Sequence, residues 1–133
     1  MTNLEIAQAA KLEPIEMIAG RLGLSSDQFE PLGRTKAKLT SEATQALIGK
    51  PKRGKLVLVT AITPTPAGEG KTTVTIGLAQ GMNRRGILAV PCTREPALGP
   101  IFGVKGGACG GGYSQVVPME EINLFFNGDF PAV

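Results

Sequence analysis

The sequence predicts an α/β fold built on a parallel sheet, and three observations carry that prediction. Two short apolar runs rich in β-branched residues, Leu56–Ile62 and Ile87–Cys92, lack polar alternation, the pattern of strands covered on both faces. Between them, residues 71–85 place Val74, Leu78 and Met82 four apart, as a helix does. A loop over Thr63–Gly70 joins the first run to that helix. Strand, loop, helix and strand in this order make a βαβ unit, whose crossover is right-handed.

The flanking elements follow from local chemistry. Residues 4–23 read as two short helices, with Leu4, Ala7 and Ala10 three apart and Pro14 as a first-turn proline for Ile15–Arg21. Gly23 and Ser25-Ser26-Asp27 end the second helix. Residues 31–39 read as extended or looped. Thr40 is placed to cap a helix over Ser41–Ile48, closed by Gly49 and Pro51, and Lys50–Gly54 is a basic turn. Beyond the βαβ unit come clustered glycines and then an apolar segment, Met119–Phe126, running into Asn127-Gly128-Asp129. The expected organisation is a helical and basic segment over 1–54 and the βαβ unit with glycine-rich loops over 55–133. Two parallel strands are marginal alone, so the sheet reads as incomplete at the C-terminus and the chain as an N-terminal piece of a longer protein.

Composition narrows the chemistry. The chain has 133 residues, one domain's worth, with 14 basic and 11 acidic side chains. Residues 1–32 carry net −3 and residues 33–55 net +6, which suits a solvated face or an anionic ligand. Histidine is absent, which excludes Ser-His-Asp and Cys-His catalysis and His-ligated zinc. Cys92 and Cys109 are too few for a disulfide framework or a four-Cys zinc site, and reduced thiols of a cytoplasmic protein are the expectation. No run of about 18 apolar residues exists and the N-terminus lacks a signal-peptide pattern, so no membrane partner is expected. No nucleic-acid partner is expected either.

The most informative stretch is Thr65-Pro66-Ala67-Gly68-Glu69-Gly70-Lys71-Thr72. It matches the phosphate-loop pattern G-x-x-x-x-G-K-[ST] at Gly70, Lys71 and Thr72, with Thr65 in place of the first glycine. Gly68 and Gly70 allow successive backbone N–H groups to converge on phosphate oxygens, and a helix N-terminus adds its own donors and its dipole. Lys71 is positioned for the β and γ phosphates of ATP, and the Thr72 hydroxyl for Mg²⁺. Partition-type ATPases carry a signature lysine five residues before this one, where this chain has Pro66. The fold expectation is therefore a P-loop NTPase-like parallel sheet with flanking helices. Arg94, in Arg94-Glu95-Pro96, follows the second run at the sheet edge where ligands bind, and a guanidinium there can grip an oxyanion; a surface ion pair with Glu95 is the plainer alternative. Glycines at 106, 107, 110, 111 and 112 would permit close backbone approach to a ligand.

Three segments together, VTAITPTPAGEGKTT (Val59–Thr73), REPALGPIFGVKGGACGGGYSQVVPMEEINLFFNGDF (Arg94–Phe130) and GRTKAKL (Gly33–Leu39), resemble the formate–tetrahydrofolate ligase family over nearly the whole chain. Family members are several times longer. The resemblance implies an ATP-dependent ligase of one-carbon metabolism: formate takes the γ-phosphoryl group of ATP to give formyl phosphate, and the N10 amine of tetrahydrofolate then takes the formyl group. It implies MgATP at Thr65–Thr72, Arg94 holding formyl phosphate, Lys71 balancing the same charge, and Asp129 as an active-site carboxylate. It also implies a cytoplasmic homotetramer stimulated by monovalent cations. The family's I-N-L-H-F-T-G-D-F-H-A differs here at Phe125, Asn127 and Pro131, so both of its histidines are replaced, and Cys109 stands where alanine is usual. A second expectation is a non-catalytic ATP-binding module derived from the ligase.

Overall fold

The computed structural model describes residues 1–51, 54–66, 68–94 and 109–125. The chain divides into two compact units, one of Lys11–Leu56 and one of Met1–Ala10 with Val57–Val133. Among the described residues the structure is α/β, but both sheets are small antiparallel pairs.

The Lys11–Leu56 unit is built from capped short helices around a hairpin. Helix α2 (Ile15–Arg21) takes Pro14 as its N-cap, one position earlier than a first-turn proline. It ends at a left-handed Gly23, φ 75°, where Gly23 N–H donates to Gly20 O and Leu24 N–H to Ala19 O. That paired closure satisfies carbonyls the helix would otherwise leave open. Strand β1 (Phe29–Pro31) pairs with β2 (Ala37–Leu39), Phe29 opposite Leu39. The expected extended stretch 31–39 is thus part of a hairpin turning at Gly33, φ 76°. Helix α3 (Ser41–Ile48) starts as expected: Thr40 Oγ1 accepts from Ala43 N–H at 3.1 Å. Its core consists of Ala19, Phe29 and Ala43.

The second unit centres on α4 (Lys71–Arg84), with α1 (Asn3–Ala9), a hairpin of β3 (Gly110–Gly111) and β4 (Ser114–Gln115), and α5 (Met119–Phe125). Thr2 and Glu5 close α1 with reciprocal bonds between side chain and backbone. The hairpin turns in two residues, Gly112 and Tyr113, and Gly112 has the positive φ such a turn demands at its first position. It lies tightly on α4: a Cβ on Gly77 would come within 2.8 Å of Ser114 Oγ, and one on Gly110 within 2.9 Å of Ile76 Cδ1. Asn3 ties α1 to the same hairpin, accepting from Gly112 N–H at 2.8 Å, while Gln115 Nε2 donates to Asn3 O at 3.0 Å. Among the glycines at 110–112, Gly110 is the one whose missing Cβ permits close packing within the protein; Gly106 and Gly107 lie outside the described residues.

The parallel sheet expected from the sequence is not seen among the described residues, where neither Leu56–Ile62 nor Ile87–Cys92 forms a strand. Leu56 and Leu58 are 96% and 81% exposed. At the second run the backbone has other partners. Helix α4 ends in a paired closure at left-handed Gly86, with Ile87 N–H donating to Met82 O and Gly86 N–H to Asn83 O. The Asn83 amide then takes both backbone groups of Ala89, donating to its O at 2.7 Å and accepting from its N–H at 3.3 Å. Those groups are spent on a side chain instead of a neighbouring strand. Helix α4 forms where the spacing predicts it, and its buried residues are Ile76 and Ala79, while Val74 and Leu78 are exposed. The hairpin covers the Ile76–Gly77 side, and helical spacing alone does not say which side is covered.

Gly110 is the position least able to accept a side chain. Its φ is 77°, and an added Cβ would stand 2.2 Å from Ser114 O. Gly110→Ala is expected to destabilise this unit by at least about 1–3 kcal/mol, the usual cost of a forced left-handed residue before any clash. Urea unfolding followed by circular dichroism measures it, and an unchanged midpoint would remove the close packing.

Candidate phosphate-binding loop

The loop before α4 is shaped by its two glycines. Gly68 has φ 83° and Gly70 φ 71°, a left-handed backbone that side chains resist. Gly68 N–H donates to Thr65 O at 3.1 Å, closing a turn across Thr65–Gly68. Gly70 is the N-cap of α4 and has no side chain to cap it. The helix therefore begins with Lys71 and Thr72 in a first turn that no side chain closes and that carries no acidic residue. Helix N-termini of this kind present donors and a positive dipole end to anions. The structure thus gathers Thr65, Pro66, Gly68, Glu69, Gly70, Lys71 and Thr72 in one turn and first helical turn; Ala67 lies outside the described residues.

One carboxylate organises this loop. Lys71 Nζ donates to Glu69 Oε2, and Thr65 N–H donates to Glu69 Oε1. Glu69 is the more sheltered partner, its side chain 16% exposed against 45% for Lys71. The Lys71 ammonium, the Thr65 N–H and the nearby positive charge hold the Glu69 carboxyl down to about 2. Glu69 entered the sequence reading only as a member of the loop, because the pattern G-x-x-x-x-G-K-[ST] leaves its position open.

The other expected site residues are more scattered. Arg94 is exposed, and its neighbours Glu95 and Pro96 lie outside the described residues, as does Asp129. Phe125 ends α5, while Asn127 and Pro131 lie outside the described residues. Among the described residues no group of three or more His, Cys, Asp or Glu side chains could hold a metal. The donor set at Thr72 fits a Mg²⁺ that arrives with phosphate oxygens, because that ion keeps much of its shell from water and phosphate. No described helix is long and apolar enough to cross a membrane.

The second unit also has a hollow of about 320 Å³, lined by Met1, Ile6, Gln80, Tyr113, Gln115 and Val117 among others. Gln115 is buried there with its nitrogen donating to Asn3 O and Gly112 O, while its Oε1 accepts from no described group. The sequence held no signal for this residue beyond its place in the motif.

A glycine-shaped loop leading into an uncapped helix, with lysine and threonine in the first turn, is the arrangement the sequence pattern predicts at Thr65–Thr72. The particular family comes from comparison. The formate–tetrahydrofolate ligase family model matches residues 1–133. A formate–tetrahydrofolate ligase of Zymomonas mobilis is 62% identical over 133 residues, 100% of this chain and 24% of that protein. Those of Rhizobium etli and Maricaulis maris are 59% and 58% identical over 132 residues, 99% of this chain and 23% and 24% of theirs. The chain belongs to the formate–tetrahydrofolate ligase family, and it spans about a quarter of the length of the relatives it matches.

The two thiols differ in reach. Cys92 is exposed, whereas Cys109 is 2% exposed and its thiol is pushed above the ordinary range, first by burial and then by the negative charge of Glu120. Since the thiolate is the nucleophile, iodoacetamide at pH 8 should label Cys92 well before Cys109. Peptide mass spectrometry reads the order, and equal labelling would contradict the burial of Cys109.

Proposed function

We propose that this chain is the ATP-binding N-terminal part of an enzyme that joins formate to tetrahydrofolate. The observation that carries the reading is the loop Thr65–Thr72, whose left-handed Gly68 and Gly70 turn the backbone into the uncapped start of α4. In this reading backbone N–H groups and Lys71 bind the β and γ phosphates of ATP, and the Thr72 hydroxyl orients toward the accompanying Mg²⁺. A formate oxygen attacks the γ-phosphorus and ADP leaves. The N10 amine of tetrahydrofolate attacks the carbonyl carbon of formyl phosphate, phosphate leaves, and the nitrogen loses its proton. Lys71 and Arg94 balance charge on the transferring group, Asp129 is an active-site carboxylate, and a monovalent cation assists. The complete enzyme is a cytoplasmic homotetramer.

The parallel sheet belongs to the complete enzyme in this reading. Leu56, Leu58, Leu88 and Val90 are exposed, and so are Val74 and Leu78 on α4. Apolar surface of this extent is the kind that packs on further chain, and the relatives are about four times as long. In the full-length ligase Leu56–Ile62 and Ile87–Cys92 would pair with strands supplied by that remainder, and Asn83 would release Ala89. The same exposure favours a second reading for the 133 residues alone: a nucleotide-binding module that forms no 10-formyltetrahydrofolate.

Two variants test the site. Lys71→Ala should weaken MgATP binding in calorimetry by at least about tenfold, since charge-assisted phosphate contacts are among the strong ones. Equal affinity for both proteins would remove the phosphate-loop assignment. In a full-length ligase carrying this N-terminal sequence, Arg94→Ala should lower turnover about 100- to 1,000-fold, the usual cost of losing a positioned charge from a developing phosphoryl or oxyanion centre. The ATP dissociation constant should stay within a few-fold. Unchanged turnover would end the formyl-phosphate role, and a large loss of ATP affinity would move Arg94 to the nucleotide.

A further inference from the structure

We propose that Glu69 is a built-in competitor for the phosphate position, an internal anion that must release Lys71 and the Thr65 N–H before a phosphoryl group can take them. The proposal rests on the phosphate-loop reading of Thr65–Thr72. It starts from an accounting of donors. That reading needs Lys71 Nζ and the backbone N–H groups of the loop for phosphate oxygens, yet Lys71 Nζ donates to one oxygen of Glu69 and Thr65 N–H to the other. A carboxylate and a phosphate present the same chemistry to these donors: a negative oxygen pair with accepting lone pairs. The Glu69 side chain is mostly sheltered, and it folds back across the turn that Gly68 N–H and Thr65 O close. Its backbone lies between left-handed Gly68 and Gly70, whose freedom allows the carboxylate to swing out without moving α4. The lowered pKa of Glu69 keeps it charged throughout the working pH range.

The contact has a directional consequence. An anion entering the loop gains Lys71 only by losing the Glu69 pair, so the intrinsic affinity of the loop is masked by the strength of that pair. A polyphosphate with several oxygens displaces one carboxylate more readily than a single phosphate does, because it recruits the first-turn donors of α4 as well. The loop therefore discriminates against inorganic phosphate, a product of the proposed reaction, and in favour of the nucleotide. The sign with pH follows from the lowered carboxyl. The pair is fully formed above the ordinary glutamate value near 4.5 and is lost only as pH falls through about 2, so the masking is constant over pH 5–8.

Calorimetric titration of the 133-residue chain with inorganic pyrophosphate and with MgATP tests this, on the wild type and on Glu69→Gln, Glu69→Asp and Lys71→Ala. Glu69→Gln should tighten both ligands about two- to five-fold, the scale of an ion pair at the protein surface with one partner half-exposed. Glu69→Asp keeps the charge but is one methylene too short to reach both donors, so it should also tighten binding. Tightening by Glu69→Gln alone would reduce the effect to simple charge repulsion and overturn the proposal, as would weaker binding in both variants. Loss of binding in Lys71→Ala with no gain in the Glu69 variants would leave the phosphate loop standing and sink the competitor. No change in Lys71→Ala would sink the phosphate loop itself. A measurement without ligand decides the contact independently: the Glu69 carboxyl carbon should titrate near 2 in the wild type and move up toward the ordinary range in Lys71→Ala, where the Thr65 N–H still lowers it. An ordinary value in the wild type overturns the proposal whatever the binding data say.

Discussion

Helix α4 and the β3–β4 hairpin can lie as close as they do because Gly77 and Gly110 carry no Cβ. Side chains at either position would collide with Ser114, and one at Gly110 would also strike Ile76. That approach buries Ile76 and Ala79 and brings Gln80 Nε2 to Tyr113 O at 3.1 Å. It also places the hairpin where Asn3 can bond Gly112, so α1 depends on the same contact. The hairpin thus holds the middle of α4, from Ile76 to Gln80.

Among the described residues the buried apolar side chains are mostly alanines, with Phe29 in one unit and Ile76 and Cys109 in the other. Alanine buries little area, at about 25 cal/mol per Å², so caps and turn closures matter more than usual. Thr2, Thr40, Gly23, Gly86 and the Asn83 clip each settle backbone groups that a short helix leaves open. Much of the apolar area of Leu56, Leu58, Val74, Leu78, Leu88 and Val90 stays in solvent, which accords with a chain spanning a quarter of its relatives' length.

The loop at 65–72 illustrates how one feature can hold two roles. Its glycines shape a turn suited to anions, and its only carboxylate already answers the donors. The electrostatics that would favour ATP are therefore present before any nucleotide arrives, offset by Glu69. Such compensation also removes the cost of holding Lys71 beside an uncapped helix N-terminus, where the dipole is positive.

Much was legible from local pattern because local chemistry decides it. The two early helices, the Thr40 cap, the Lys71 start of α4 and the glycines at 68 and 70 all rest on neighbours within about four residues. The family was legible for another reason, the length and specificity of the matching motifs. Tertiary contacts decided what pattern could not. Whether Leu56–Ile62 and Ile87–Cys92 become strands depends on partners to pair with, and here Asn83 takes Ala89 instead. Which side of α4 is buried depends on where the hairpin lands, and periodicity is blind to that. That Gly110 packs against Ser114 and Ile76 was likewise beyond local pattern, since both partners come from the tertiary fold. The role of Glu69 needed the fold of the loop, since only the backbone turn brings Thr65 and Lys71 to the same carboxylate.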